Sequence, residues 1–158
     1  MIVIADTGPI ISLAVIGKLD ILDALFDQIA IPPAVWRELE KFIKEFSIPQ
    51  VLKYKDCVVF VKNRACFLED LDDGETEAIQ LYSEMKADLL LIEDKDARSF
   101  AESQGISCMG TPGILILAKR KGLIPCLRPL FAELLVHGRY FSRSLLDSVL
   151  LRSDEQSL

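Results

Sequence analysis

The fold is decided by the stretch Val3–Pro9, VIADTGP, close to the first residue of the chain. Ile2–Ala5 is a short apolar run rich in β-branched residues, which predicts a strand. Thr7 then supplies an N-cap and Pro9 a residue that the first turn of a helix accepts, so a helix is predicted to follow. Asp6 is therefore expected at the carboxyl end of the first strand, the edge where ligands bind in open α/β sheets.

Length and composition predict one domain that buries its own core. The chain has 158 residues, of which 51% are hydrophobic, so part of the apolar surface is expected to meet a protein partner. A net charge of −6 argues against a broad electrostatic nucleic-acid binder. Apolar runs fall short of the roughly 20 residues of a membrane helix, and a basic leader is not visible, so we expect a cytoplasmic protein without a membrane partner. Residues 1–152 are predicted to form the domain and 153–158 a polar tail.

Cysteine and histidine usage excludes several chemistries. Cys57, Cys66, Cys108 and Cys126 are not at metal-ligand spacing, so we interpret them as reduced, mostly buried thiols. His137 is the single histidine and belongs to an amphipathic segment. Acyl transfer by a Ser-His or Cys-His pair is therefore not expected.

Short apolar runs alternate with amphipathic segments along the rest of the chain. Further strands are predicted at Gln28–Ile31, Cys57–Val61, Asp88–Ile92 and Ile106–Met109. The segments between them have helical periodicity. This alternation predicts one α/β domain with a parallel sheet of about four to five strands.

Other acids follow the pattern set by Asp6. Asp94 comes directly after the continuous apolar run Asp88–Ile92, which is typical of a strand buried on both faces. Glu38 lies on the flank of the apolar stripe of a helix, and Glu77 is in an early turn of another helix. All four acids can lean over the same edge of the sheet. Carboxylate oxygens are the ligands that Mg²⁺ and Mn²⁺ prefer, and these ions promote in-line attack on phosphodiesters.

A simpler interpretation applies to the acids near the start of the helix that carries Glu77. Asp72 and Glu75 have the three-residue spacing of a capping box. We therefore interpret Asp72, Asp73 and Glu75 as capping or solvent-facing residues.

Four stretches together resemble the PIN-domain family, and most closely a prokaryotic branch related to VapC-type toxins. They are Asp6–Pro9 (DTGP), Val35–Leu39 (VWREL), Gly74–Ile79 (GETEAI) and Leu91–Arg98 (LIEDKDAR), followed by Gly110–Gly113 (GTPG). The resemblance covers nearly the whole chain. It implies a three-layer α/β/α fold with a central parallel sheet, and a single-strand-specific ribonuclease that uses Mg²⁺ or Mn²⁺.

The resemblance also implies roles for individual residues. Asp6, Glu38, Glu77 and Asp94 match the four catalytic, metal-binding acids, and Asp96 is a candidate fifth ligand. Glu75 remains an alternative to Glu77, since a helical wheel does not separate them.

The resemblance and local pattern also suggest residues and molecules for substrate and partner binding. Thr7 stands where the family has Ser or Thr beside the first acid, although an N-cap role explains it equally well. Thr111 is predicted to cap a helix whose N–H groups could hold a phosphate. The partners implied are single-stranded RNA, an antitoxin protein and a second copy of the chain in a homodimer.

The sequence departs from the family pattern at two positions, and it is also compared below with the requirements of other classes of protein. Ile92 replaces a frequent Thr before the fourth acid, and Glu77 replaces the more usual Asp.

An aspartic protease needs a mostly β fold and two acids of the Asp6 type, whereas a haloacid-dehalogenase phosphatase needs an acid at Gly8. A receiver domain needs an acidic pair at the first strand end. The main alternative is a PIN-fold interaction module with weak catalysis.

Overall fold

A parallel sheet forms the centre of the protein. The computed structural model describes residues 1–63 and 70–158, and Cys66, interpreted above as a reduced thiol, lies outside them. In the described residues the sheet has four strands in the order β2-β1-β3-β4. The strands are β1 (Ile2–Ala5), β2 (Gln28–Ala30), β3 (Leu89–Leu91) and β4 (Cys108–Met109). Ile4 pairs with Ala30 on one side and Leu90 on the other, so β1 is a central strand.

Helices connect the strands and follow the sheet. They are α1 (Thr7–Val15), α2 (Asp20–Leu25), α3 (Pro33–Phe46), α4 (Asp73–Met85), α5 (Lys95–Ser103), α6 (Thr111–Arg120), α7 (Arg128–Val136) and α8 (Arg143–Arg152). A 3₁₀ helix covers Pro49–Cys57. Pro33 is the first residue of α3. The predicted helix start near Asp72 is confirmed, and the Asp72–Glu75 capping box is present.

Both faces of the sheet are buried, which makes the fold a three-layer α/β/α sandwich. Because side chains alternate along a strand, successive residues of β1 and β3 enter different cores. One core contains Val3, Ala5 and Leu91 with residues of α1, α2, α3, α6, α7 and α8. The other contains Ile4, Leu90 and Ile92 with residues of α4 and α5. The predicted parallel α/β fold is confirmed.

The prediction of a strand at Cys57–Val61 is wrong. Cys57 ends the 3₁₀ helix, and Val58 forms only an isolated parallel bridge to Ile31. The Ile31 N–H donates to the Cys57 carbonyl at 3.0 Å, and the Val59 N–H donates to the Ile31 carbonyl at 2.9 Å. The pairing is confined to this point because Ile31 already lies beyond the end of β2, so the ladder is not extended.

The predicted capping roles of Thr7 and Thr111 are also wrong. Asp6 is the N-cap of α1 and Gly110 is the N-cap of α6, so each threonine lies one residue inside its helix. Their hydroxyls are directed to carboxylates distant in sequence, as described below.

The segment after α8 packs against the domain. The Glu155 carboxylate accepts hydrogen bonds from the backbone N–H groups of Leu127 and Arg128, both at 2.8 Å, and pairs with Lys119 at 2.6 Å. These contacts tie residues 153–158 to α6 and to the start of α7. Within the described residues, no helix combines the length and apolar character needed to cross a membrane.

Candidate active site

Asp6 and Asp94 lie at the carboxyl ends of neighbouring strands. The Asp6 N–H donates to the Leu91 carbonyl at 2.9 Å, so the pairing of β1 with β3 continues up to Asp6. Asp94 follows β3 and is the N-cap of α5, where its Oδ1 accepts the N–H groups of Asp96 and Ala97 at 3.0 and 2.9 Å. Because parallel strands end at the same edge, the two acids face one region, as predicted.

Glu38 reaches this region from α3 and is held on two sides. The Thr7 hydroxyl donates a hydrogen bond to Glu38 Oε2. Glu38 Oε1 faces the first turn of α4 so closely that a Cβ on Gly74 would lie 2.7 Å from it. Gly74 therefore leaves the space that the Glu38 carboxylate occupies.

Glu75, and not Glu77, contributes a carboxylate from α4 to the site. Glu75 lines the cleft, and its side chain also accepts the Asp72 N–H of the capping box at 3.1 Å. Glu77 is directed instead to the start of α3, where Oε2 accepts the Ala34 N–H at 2.8 Å and Oε1 lies 3.9 Å from Arg37. The interpretation of Glu75 as a cap alone was incomplete, because the same carboxyl group also faces the cleft.

Asp96 likewise lies outside the group of residues that line the cleft. It is exposed in the first turn of α5. The cleft has a volume of about 460 Å³ and is lined by Asp6, Thr7, Gly8, Ile11, Glu38, Asp72, Glu75, Glu93, Asp94, Lys95, Arg139 and Tyr140.

Burial and mutual repulsion disfavour the charged forms of the central acids. Burial raises the pKa of Asp6 well above its usual value, opposed by the Thr7 N–H and assisted by Glu38, Asp72 and Glu75. Burial also raises the pKa of Glu38, against the lowering effect of the Thr7 hydroxyl. For Glu75, burial is again the largest cause and the pKa is raised to about 7. Each additional carboxylate in this cleft makes ionisation of its neighbours less favourable.

A divalent cation would relieve this repulsion, and the donor atoms are of the right kind. Asp6, Glu38, Glu75 and Asp94 offer carboxylate oxygens, which suit Mg²⁺ and Mn²⁺. The coordination sphere is not assembled, however: across residues 1–63 and 70–158, no group of three or more His, Cys, Asp or Glu side chains is arranged to hold a metal ion. The four residues therefore fit a divalent cation in the chemistry of their donor atoms.

The sequence prediction did not include a network of side chains that contributes Glu93 and Arg139 to the lining of the cleft. Thr111 donates its hydroxyl hydrogen bond to Glu93 Oε1. Glu93 Oε2 pairs with Arg139 Nη2 at 3.0 Å, and Arg139 Nε donates to the Ser12 hydroxyl at 2.8 Å. Arg139 also donates to the Gly8 carbonyl at 3.3 Å. Glu93 was detectable as the acid directly before Asp94 at the end of β3, whereas no local pattern marks Arg139.

This fold and site define a class of protein: a parallel α/β/α domain with a cleft of carboxylates at the carboxyl edge of its sheet. The chain belongs to the PIN-domain family, since the family model described as PIN domain matches residues 2–155. PIN domains are commonly nucleases.

Other comparisons bear on the fold. A PilT N-terminus domain protein from the hyperthermophilic archaeon Sulfolobus solfataricus P2 superposes with a TM-score of 0.57 at 20% sequence identity. The superposition covers 75% of this chain and 93% of the archaeal one. At this identity the similarity supports the fold alone. No curated protein matches the chain in sequence.

Proposed function

We propose that this protein is a metal-dependent endoribonuclease that hydrolyses phosphodiester bonds in single-stranded RNA, and that it acts as the toxin of a toxin–antitoxin pair. One observation carries the proposal. Carboxylates from separate segments of a PIN-domain chain, Asp6, Glu38, Glu75 and Asp94, line one cleft at the carboxyl edge of the sheet.

The proposed site uses Mg²⁺ or Mn²⁺ and assigns a role to each residue. Asp6, Glu38, Glu75 and Asp94 hold the cation, and Glu75 takes the place first assigned to Glu77. A bound divalent cation stabilises the negative charge that develops on a phosphodiester and activates the attacking water. Thr7 acts by positioning Glu38 through its hydroxyl hydrogen bond.

An antitoxin and a second copy of the chain are the proposed protein partners. Large apolar side chains are exposed on the last two helices, including Val136 on α7 and Leu145 and Leu151 on α8. Burial of such side chains in an interface is favourable. Mass measurement by light scattering tests the homodimer, and a monomer at micromolar concentration would contradict it.

A weakly catalytic interaction module is the second candidate. It is supported by the finding that, among the described residues, no group of three or more His, Cys, Asp or Glu side chains is arranged to hold a metal ion. In this alternative the acidic cleft is an inherited feature of the fold, and the protein works by binding a partner.

Cleavage of single-stranded RNA separates the two candidates. The protein is incubated with RNA in Mn²⁺, in Mg²⁺ and in EDTA, alongside Asp6→Asn and Asp94→Asn. Asp94→Asn is informative because an asparagine oxygen can still accept the Asp96 and Ala97 N–H groups that cap α5. Glu40→Gln, an exposed acid of α3, is the matched control.

The nuclease predicts cleavage that needs the metal, is lost in both aspartate variants and is kept in Glu40→Gln. Intact RNA with every divalent cation contradicts the nuclease and supports the interaction module. Cleavage that persists in EDTA and in both variants, at the level of wild-type protein, depends neither on a metal nor on these acids and overturns the assignment of the site.

A further inference from the structure

Tyr140 is an aromatic residue exposed at the rim of the acidic cleft. Its relative exposure is 101%, although it lines the same cleft as Asp6 and Asp94. The next residue, Phe141, is partly buried and packs against the core. An exposed tyrosine beside a site offers a large, flat aromatic face that a ligand can cover.

The neighbours of Tyr140 hold it in this position. Gly138 has a φ of +72° at the end of α7. The Arg139 N–H donates to the Leu134 carbonyl at 2.9 Å and the Gly138 N–H donates to the Leu135 carbonyl at 3.0 Å, which closes α7 as a Schellman motif. The Arg139 side chain is in turn bonded to Glu93 and to α1. The backbone that presents Tyr140 is therefore anchored on its N-terminal side, while Phe141 anchors it on the other.

The charge of the cleft requires a binding contribution that does not depend on charge. Among the described residues that line it, the acids Asp6, Glu38, Asp72, Glu75, Glu93 and Asp94 face the cations Lys95 and Arg139. Arg139 is already paired with Glu93 at 3.0 Å. A polyanion gains little binding free energy from such an acidic surface. Stacking of a base on an aromatic ring does not depend on the charge of the surface.

We propose that Tyr140 is the platform on which one base of the single-stranded RNA substrate stacks, next to the carboxylates of the cleft. This inference rests on the proposed function and names the contact that selects single strands. A base inside a duplex is already stacked on both sides, so it cannot cover the ring. A base in a single strand can do so with any sequence.

Equilibrium binding tests this contact separately from catalysis. Fluorescein-labelled single-stranded RNA is titrated with protein in Ca²⁺, which replaces Mn²⁺ so that the strand stays intact, and its length is checked on a gel. The variants are Tyr140→Ala, Tyr140→Leu and Tyr140→Phe. Phe60→Ala is the matched control, because Phe60 is 77% exposed and lies outside the cleft lining.

We expect Tyr140→Ala and Tyr140→Leu to bind RNA roughly 5- to 100-fold more weakly, as base stacking predicts, with Tyr140→Phe and Phe60→Ala close to wild type. In Mn²⁺ the alanine variant should show a raised KM for cleavage with kcat largely kept. Wild-type affinity in Tyr140→Ala, in a protein that still cleaves RNA, overturns the stacking role and leaves the nuclease intact. A wild-type protein that neither binds nor cleaves single-stranded RNA overturns both.

Discussion

The Thr7 hydroxyl donates a hydrogen bond to the Glu38 carboxylate, although the two residues are 31 positions apart in the chain. Thr7 is buried in the first turn of α1, and Glu38 comes from α3. This contact joins the end of the first strand to a second acid of the cleft. It also lowers the pKa of Glu38, against the raising effect of burial.

Replacement of Thr7 by valine is expected to loosen Glu38. The variant keeps the shape of the side chain but leaves Glu38 Oε2 without its hydroxyl donor, so the free energy of unfolding should fall by about 1–2 kcal/mol. The pKa of Glu38 should rise further, so metal-dependent cleavage should require a higher pH. Urea denaturation and a pH–rate profile measure the two effects. Thr7→Ser should behave like wild type, and an unchanged profile in Thr7→Val would show that the hydroxyl does not position Glu38.

Gly74→Ala is expected to displace Glu38 without unfolding the protein. A Cβ at this position lies 2.7 Å from Glu38 Oε1, the end of a flexible side chain that can move. Alanine in a helix is ordinarily more stable than glycine by about 0.5–1 kcal/mol, which offsets the contact. We therefore expect nearly unchanged stability and weaker Mn²⁺ binding by calorimetry.

A thermodynamic cycle isolates the cause of this effect. In a Glu38→Ala background the contact is absent, so Gly74→Ala should stabilise the protein by more than it does in the wild type. Equal effects in the two backgrounds would exclude a contact between position 74 and Glu38.

Substitutions of Glu75 are expected to affect metal binding, whereas Glu77→Ala is expected to affect the stability of the fold. Glu75→Gln removes a charge from the cleft and should lower Mn²⁺ affinity by roughly tenfold, whereas Glu77→Gln should leave it unchanged. Glu77→Ala should lower the free energy of unfolding by about 1–3 kcal/mol, because the Ala34 N–H loses its buried acceptor. Calorimetry and urea denaturation measure the two quantities. Lost Mn²⁺ affinity in Glu77→Gln alone would return the third ligand to position 77.

The protein is expected to lose stability as the pH rises from about 5 to about 8 in the absence of divalent cations. The pKa of Glu75 is raised from 4.5 to about 7, and the pKa values of Asp6 and Glu38 are raised as well. The folded state therefore binds protons more tightly than the unfolded state. The free energy of unfolding falls as the pH rises and these groups ionise. Millimolar Mn²⁺ should oppose the loss by binding the ionised carboxylates.

Thermal unfolding across this pH range, with and without Mn²⁺, measures the effect. Glu75→Gln should flatten the profile, whereas Glu40→Gln, on the exposed face of α3, should leave it unchanged. A stability that rises with pH in wild-type protein would show that the cleft acids are not repelling one another in the folded state.

Local patterns in the sequence were sufficient for the elements whose stabilising contacts are local. The first strand and the following helix, the buried strand at 89–91 and the capping box of Asp72 and Glu75 depend on neighbouring residues, and all were predicted. The positions of Asp6 and Asp94 at strand ends followed from the same patterns. The prediction of a strand at Cys57–Val61 was wrong because a strand needs a neighbouring strand to pair with. The local sequence does not show whether such a neighbour is present.

The sequence by itself determined the α/β architecture and the edge of the sheet where the acids lie, because the periodicity of strands and helices is a property of the local sequence. Only the tertiary structure decided which carboxylate of α4 faces the cleft. Glu75 and Glu77 are two residues apart on one helix, and their directions depend on where α3 packs and which of its N–H groups needs an acceptor. The same holds for the partners of Thr7 and Arg139, which come from distant segments and have no local signature.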